Sequence, residues 1–282
     1  MPDLWGFAAI AVKFALYLGV LTSAGAALAS LLFRLDRMRG FALGFAALGL
    51  FAAVMAFSLR GANLTGDASG MTDPEMLGLL WSTPVGTALM YRIAGLTLLI
   101  IGLFLGGIGP LVSVVGGLLA IWSFDHVGHV SSRDTTLLDI ALTLHLVAIA
   151  LWIGILSPLK SLASDPTSHG QAARVGHQFG QVAMVTVPSL IAAGGYMGYQ
   201  LVGSFTALIG TGYGQALLIK VALVGCLLGL AAANKLRFIP KIRAGDTAAA
   251  DHLTKSISVE WAVVLLVLVI TAVLTSNLTL PT

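Results

Sequence analysis

The chain has 282 residues, 57% of them hydrophobic and 10% charged, with a mean hydropathy of +0.96 and a formal net charge of +3. Soluble domains carry about a quarter of their residues as Asp, Glu, Lys or Arg, so a water-facing globule is excluded, along with disordered, collagen-like and coiled-coil chains. The single cysteine, Cys226, excludes an internal disulfide and any Cys-x-x-Cys metal site.

A spanning helix needs about 20 apolar residues. Eight such windows follow one another: 4–33, 41–59, 84–106, 108–124, 137–159, 182–204, 214–238 and 257–276. Every backbone amide in a bilayer core must bond internally, which makes these windows helices; the sequence has none of the alternating ten-residue strands of a barrel. The expected fold is an all-α integral membrane bundle of eight transmembrane helices. It divides into an N-terminal helix pair (1–60), a stretch with an external loop and helices three and four (61–136), and a four-helix core (137–282). No cation precedes Lys13, so the first window reads as a span rather than a cleaved leader. Gly106-Gly107-Ile108-Gly109-Pro110 leaves room only for a tight hairpin between the third and fourth windows. Two connections are longer. Residues 59–83 hold Asp73-Pro74-Glu75, a helix start, and residues 161–181 read as a cytoplasmic segment containing His169 and His177. The pairs Gly102/Gly106, Gly194/Gly198 and Gly225/Gly229 have the spacing of close helix contacts.

Orientation follows from cations in short loops. Arg34, Arg37, Arg39, Lys160, Arg174, Lys235, Arg237, Lys241, Arg243 and Lys255 fall on one side, and Arg60 and Arg133 on the other. The first side is read as cytoplasmic, with both termini external. The outer loops carry Asp67, Asp73, Glu75, Asp125 and Asp134. The basic pI of about 9.2 then reflects topology and contact with anionic membrane lipid, and nucleic acid is rejected as a partner.

Polar groups inside spans carry a desolvation cost and mark function. Those here are Lys13, Arg92, His145, Lys220 and Glu260. His145 lies roughly 12 Å inside the fifth window at 1.5 Å per residue, and Trp152 follows seven residues later on the same face. Just before that helix stand His126 and His129. Imidazole suits copper, zinc and iron, and thioether selects cuprous copper. Met90 and Met197 sit at a depth similar to His145, so an external His/Met site of His126, His129, His145, Met90 and Met197 is expected. The alternative for His145 is a core imidazole held by a hydrogen bond; for the methionines it is packing. Arg92 and Lys220 either snorkel outward or act as charge control, in which case Arg92 needs an acid such as Asp139. Glu260 is expected to pair with Lys235 or Lys255; otherwise it is a cytoplasmic exit ligand or proton carrier. Cys226 is read as inert core packing, with a cuprous relay as the alternative.

Several stretches together resemble the CopD family of copper resistance and copper uptake membrane proteins. Val127-Gly128-His129-Val130 is similar to its Gly-His pair. Residues 141–159 are similar to its pattern His-Leu-x-Ala-x-x-x-Trp-x-Gly-Gly-x-x-Pro-Leu, with Ile155 in place of the second glycine. Residues 213–220 resemble its Tyr-Gly-x-x-Leu-Leu-x-Lys element, and Ala233-Asn234-Lys235 its Asn-Arg pattern with lysine for arginine. Residues 83–92 are similar to its Thr-x-x-Gly…Arg element. The resemblance implies a copper-handling inner-membrane protein, not an enzyme, working with a periplasmic copper chaperone of the CopC type. It implies functional positions at His129, His145 and Trp152, with Arg92 and Lys220 as matched intramembrane cations. The sequence shows no ATP-binding P-loop, so transport without ATP, likened to uptake toward the cytoplasm, is the leading expectation. A b-type haem or quinone redox protein and a non-transporting copper-delivery scaffold are the alternatives.

The orientation is directly testable. A reporter fused after Thr282 should behave as external and one fused after Arg243 as cytoplasmic; the reverse pattern would invert every placement made here.

Overall fold

The computed structural model describes residues 4–35, 38–128 and 136–281; Arg37, His129, Arg133 and Asp134 lie outside them. Among the described residues the chain is helical, with no strand. The helices are α1 (Leu4–Phe33), α2 (Arg39–Thr65), α3 (Pro74–Trp81), α4 (Pro84–Phe104), α5 (Gly109–Trp122), α6 (Thr136–Ser164), α7 (His169–Val202), α8 (Phe205–Gly210), α9 (Gly212–Ala233), α10 (Ile239–Arg243) and α11 (Thr247–Ser276). A π turn over Asn234–Phe238 joins α9 to α10 in one continuous rod.

Among the described residues seven helical runs are long and apolar enough to cross a membrane: α1, α2, α4, α6, α7, α9 through α10, and α11. Eight were expected. The missing one is the 108–124 window, where α5 has 14 residues and a length of about 21 Å. Its chain tightens at Ser123–His126 into a 3-10 turn, which lies within the bundle: Phe124 stacks on Tyr17 of α1 at 5.0 Å, about 20 Å along that helix from Leu4. Helices also run beyond the apolar windows. The expected cytoplasmic segment 161–181 is instead the last turn of α6, a short 3-10 turn and the first third of α7. Membrane thickness sets the apolar length of a helix, not its total length.

Local chemistry explains the ends. Asp73 caps α3 by accepting from the amides of Glu75 and Met76, with Pro74 in the first turn, as its sequence signature predicted. Thr83, Thr211 and Asp246 cap α4, α9 and α11 through side-chain oxygens. Gly66 ends α2 at φ +75°, a conformation that costs glycine little. The π turn has a covalent cause. Pro240 lacks an N–H and its ring crowds the carbonyl four residues back, and the Ile239 amide reaches past it to the Asn234 carbonyl.

Helix α1 is the central rod, packed against α2, α5, α6 and α11. Glycines make these crossings close. A methyl on Gly25 would run into the Ala150 carbonyl of α6, and one on Gly154 into the Gly25 backbone. Gly19 and Gly49 stand in the same relation between α1 and α2, and Gly95 and Gly116 between α4 and α5. Helix association in lipid rests on such backbone approach because apolar side chains gain little over lipid tails. The spacing-based expectation therefore needs correction. Gly102 does meet Ser113 and Gly109, but Gly106, Gly225 and Gly229 face open space. Cys226 likewise is exposed on α9 rather than packed in the core.

Two substitutions test this packing. Gly25→Leu and Gly154→Val should each cost at least the roughly 1–3 kcal/mol of ordinary overpacking, seen as a lost monodisperse peak or a lowered thermal midpoint in detergent. Gly225→Ala and Gly229→Ala should leave both unchanged or slightly improved, since alanine favours helix.

Candidate functional site

Helix α6 carries polar groups on two flanks. Thr143 and His145 are two residues apart, which sets them about 200° apart around the helix axis. Thr143 faces the 3-10 turn, where its hydroxyl donates to Asp125 Oδ2 at 2.7 Å. His145 faces α7, where its Nδ1 lies 3.2 Å from the Leu190 carbonyl.

The turn is held from three sides. Arg92 of α4 donates from Nε to Ser123 Oγ at 3.1 Å and lies over the Phe124 ring at 5.1 Å. The guanidinium is buried, so it neither snorkels outward nor pairs with Asp139; a hydroxyl and an aromatic face take the place of the expected acid. His126 packs on Tyr91 with ring centroids 4.9 Å apart. Asp125 Oδ1 and His126 Nδ1 are both buried without a hydrogen-bond partner. Burial raises the Asp125 carboxyl to about 6, with the Asp139 charge adding to the effect and the Thr143 hydrogen bond opposing it.

On the other flank, Leu190 offers only a carbonyl, so His145 must carry its proton on Nδ1 and keep a lone pair on Nε2. This is the arrangement of metal-binding histidines, whose second nitrogen donates to a carbonyl or carboxylate and fixes the tautomer. Gly194 leaves room for the ring: a methyl there would stand 3.0 Å from Cε1. That glycine serves an imidazole, not a helix crossing. Met197, one turn further along α7, is buried in a cluster with Leu138 and Ala141, the latter one turn before His145. Lys220 of α9 is the charge that acts on the imidazole.

Two turns below His145, Trp152 is buried and donates from Nε1 to Glu260 Oε2 of α11 at 3.2 Å. Asn234 of the π turn donates from Nδ2 to Glu260 Oε1 at 2.5 Å. Glu260 is 2% exposed and makes no pair with Lys235 or Lys255. The Lys235 stem lies along Gly180 of α7 instead.

The expected five-residue constellation is thus distributed. His145 and Met197 share the α6–α7 interface. His126 lies on the opposite flank of α6 beside Asp125. Met90 is 47% exposed on α4, and His129 lies outside the described residues. Among the described residues no three His, Cys, Asp or Glu side chains converge as a metal cluster. The polar partners that the sequence reading missed are Asp125, Thr143 and Asn234. Asp125 was legible only as one acid in an external loop, because nothing in the sequence sets the turn inside the bundle.

Comparison with known proteins gives the following. Residues 172–274 match the family model for copper resistance protein D, and residues 1–138 match that for the copper resistance protein D-like N-terminal domain. The chain is 30% identical over 174 residues to copper transport protein CutJ of Bacillus subtilis, covering 59% of this chain and 30% of that protein. It is 29% identical over 154 residues to inner membrane protein YebZ of Escherichia coli, covering 52% of each. The matches thus span at most about half of these relatives. No solved structure matches the chain significantly.

The buried turn predicts a pH effect in metal-free protein. A carboxyl raised above its unfolded value stabilises the fold below that value and loses the contribution as pH rises through about 6. The thermal midpoint should fall between about pH 4 and 6 and level off above, and Asp125→Asn should flatten that decline; an Asp125→Asn protein with the parent slope would assign the titration elsewhere.

Proposed function

The chain belongs to the copper resistance protein D family of membrane proteins, and from that premise we propose that it binds copper at His145 and carries it across the inner membrane. The observation that carries this reading is the single hydrogen bond from His145 Nδ1 to the Leu190 carbonyl. It leaves Nε2 free as a neutral ligand nitrogen inside an apolar bundle, where an imidazole without a task would be a cost. Met197 adds a thioether on the same interface, which favours the cuprous ion. Copper here is cargo rather than a resident cofactor.

With the ten loop cations inside, His145 lies in the external half and both termini are external. Cargo then enters from the periplasmic face and moves toward the cytoplasm. Exposed Asp67 and Glu75, with half-buried Asp73 between them, near that face would receive a basic surface of a CopC-type chaperone, steered by complementary charge. The relative named a copper transport protein and the one named an inner membrane protein support the substrate and the location. The protein acts as a carrier, not an enzyme. His126 and Asp125 form a separate polar group on the opposite flank of α6.

Copper titration of purified variants under reducing and oxidising conditions tests the site. His145→Ala should weaken Cu⁺ binding at least tenfold while the protein stays folded, and His126→Ala should do less. Met197→Leu should weaken Cu⁺ but not Cu²⁺, Met90→Leu neither, and Lys220→Met should tighten binding by removing a like charge. His145→Ala that binds as the parent does makes His145 structural and moves the site.

A further inference from the structure

Between the copper-binding half and the basic end lies a carboxyl group that copper binding does not use. Glu260 is 2% exposed and is held by two neutral donors, Trp152 Nε1 at 3.2 Å and Asn234 Nδ2 at 2.5 Å. The charged and titratable groups around it are engaged elsewhere. Lys235 lies along Gly180, Arg237 is over Phe238 at 5.9 Å, and His252 stacks on Phe238 at 5.8 Å. Lys255 and Asp251 precede it on the exposed part of α11. The inner half of α1 carries no charge, and Tyr17 is engaged at the opposite end with Thr275. A buried carboxylate without a countercharge is among the costliest groups a fold can hold. It needs a cation or a proton.

Two further features favour the proton. The oxygens nearby are hard donors that suit cuprous copper poorly. Asn234 is 9% exposed, yet its Oδ1 is buried without a partner, as is Ser256 Oγ one turn before Glu260. A half-turn of the Asn234 amide, whose O and N ends are an assignment, sets Oδ1 to accept from a Glu260 O–H. The same site thus serves both protonation states. As a proton leaves, the O–H bond on Oε1 breaks, the electron pair stays on the carboxylate, and the amide turns to offer Nδ2–H. The π turn is what brings Asn234 to this position, and such turns recur at working sites.

We propose that Glu260, clamped by Trp152 and Asn234, is a proton-binding site that releases its proton to the basic end as copper passes and is reprotonated from the external side before the next ion. Resting on the copper-transport reading, this supplies its driving force: one proton moves down its gradient with each ion.

Full-length protein in liposomes with an enclosed pH-sensitive dye tests it, with Cu⁺ supplied outside. Wild type should show copper uptake together with a copper-dependent proton signal. Glu260→Gln keeps the volume and, with the Asn234 amide turned so that Oδ1 accepts from the new NH2, both hydrogen bonds. It should bind copper as wild type does, lose the proton signal and lose at least ninety per cent of its response to an imposed pH gradient. Asn234→Asp, which restores a titratable group at the clamp, should recover part of the signal; a merely structural glutamate would give no such recovery. Copper uptake by wild type without a proton signal, or a Glu260→Gln signal equal to that of wild type, overturns the proton site and leaves transport standing. Wild type that binds copper and moves none overturns transport, and the proposal falls with it.

Discussion

Backbone meets backbone where Gly25 of α1 crosses Ala150 and Gly154 of α6, and the positions of the chemically active groups follow from that crossing. It fixes the height of α6 against the central rod. His145 is then set toward α7, Thr143 toward the buried turn, and Trp152 toward α11. Seven residues separate His145 from Trp152, about 10 Å along the axis. One helix thus serves the imidazole proposed as a ligand in one half of the bundle and a carboxyl clamp in the other. A side chain larger than hydrogen at either glycine would move all three groups together.

The second constraint is the cost of polarity in an apolar bundle. The charged groups Arg92, Lys13 and Glu260 are answered by a nearby donor, acceptor or ring rather than by an opposite charge. Arg92 has Ser123 and Phe124; Lys13 donates to the Thr275 carbonyl at 2.5 Å; Glu260 has Trp152 and Asn234. Neutral partners leave a group able to change its charge, whereas a tight ion pair would hold it. That distinction separates a stabilising element from one that can exchange a proton or receive a cation.

The sequence made the long helices legible because hydropathy counts apolar residues directly, and residues 4–33 coincide with α1 at both ends. Residues 108–124 fall short of a full-length helix for a geometric reason: the window is apolar enough, but Ser123 starts a tighter turn that buries Asp125 and half-buries His126. Glycine spacing misled for a related reason. Gly225 and Gly229 share a helix face that no neighbour covers, and which faces are covered depends on the lateral order of helices, which local sequence does not encode. The Glu260 partner was missed on the same ground, since Asn234 lies 26 positions away and reaches it only because Pro240 forces a π turn. His145 was legible, as depth and residue type suffice for a half-buried imidazole within a span. Its tautomer was not, because the Leu190 carbonyl belongs to another helix.

The central claim is that His145 offers Nε2 to copper with a thioether from Met197 beside it. X-ray absorption at the copper edge of Cu⁺-loaded protein measures that coordination shell directly. The account predicts imidazole scattering together with sulfur, the sulfur contribution disappearing in Met197→Leu and the imidazole contribution falling in His145→Ala. A shell of sulfur or oxygen alone, unchanged by either substitution, would contradict it.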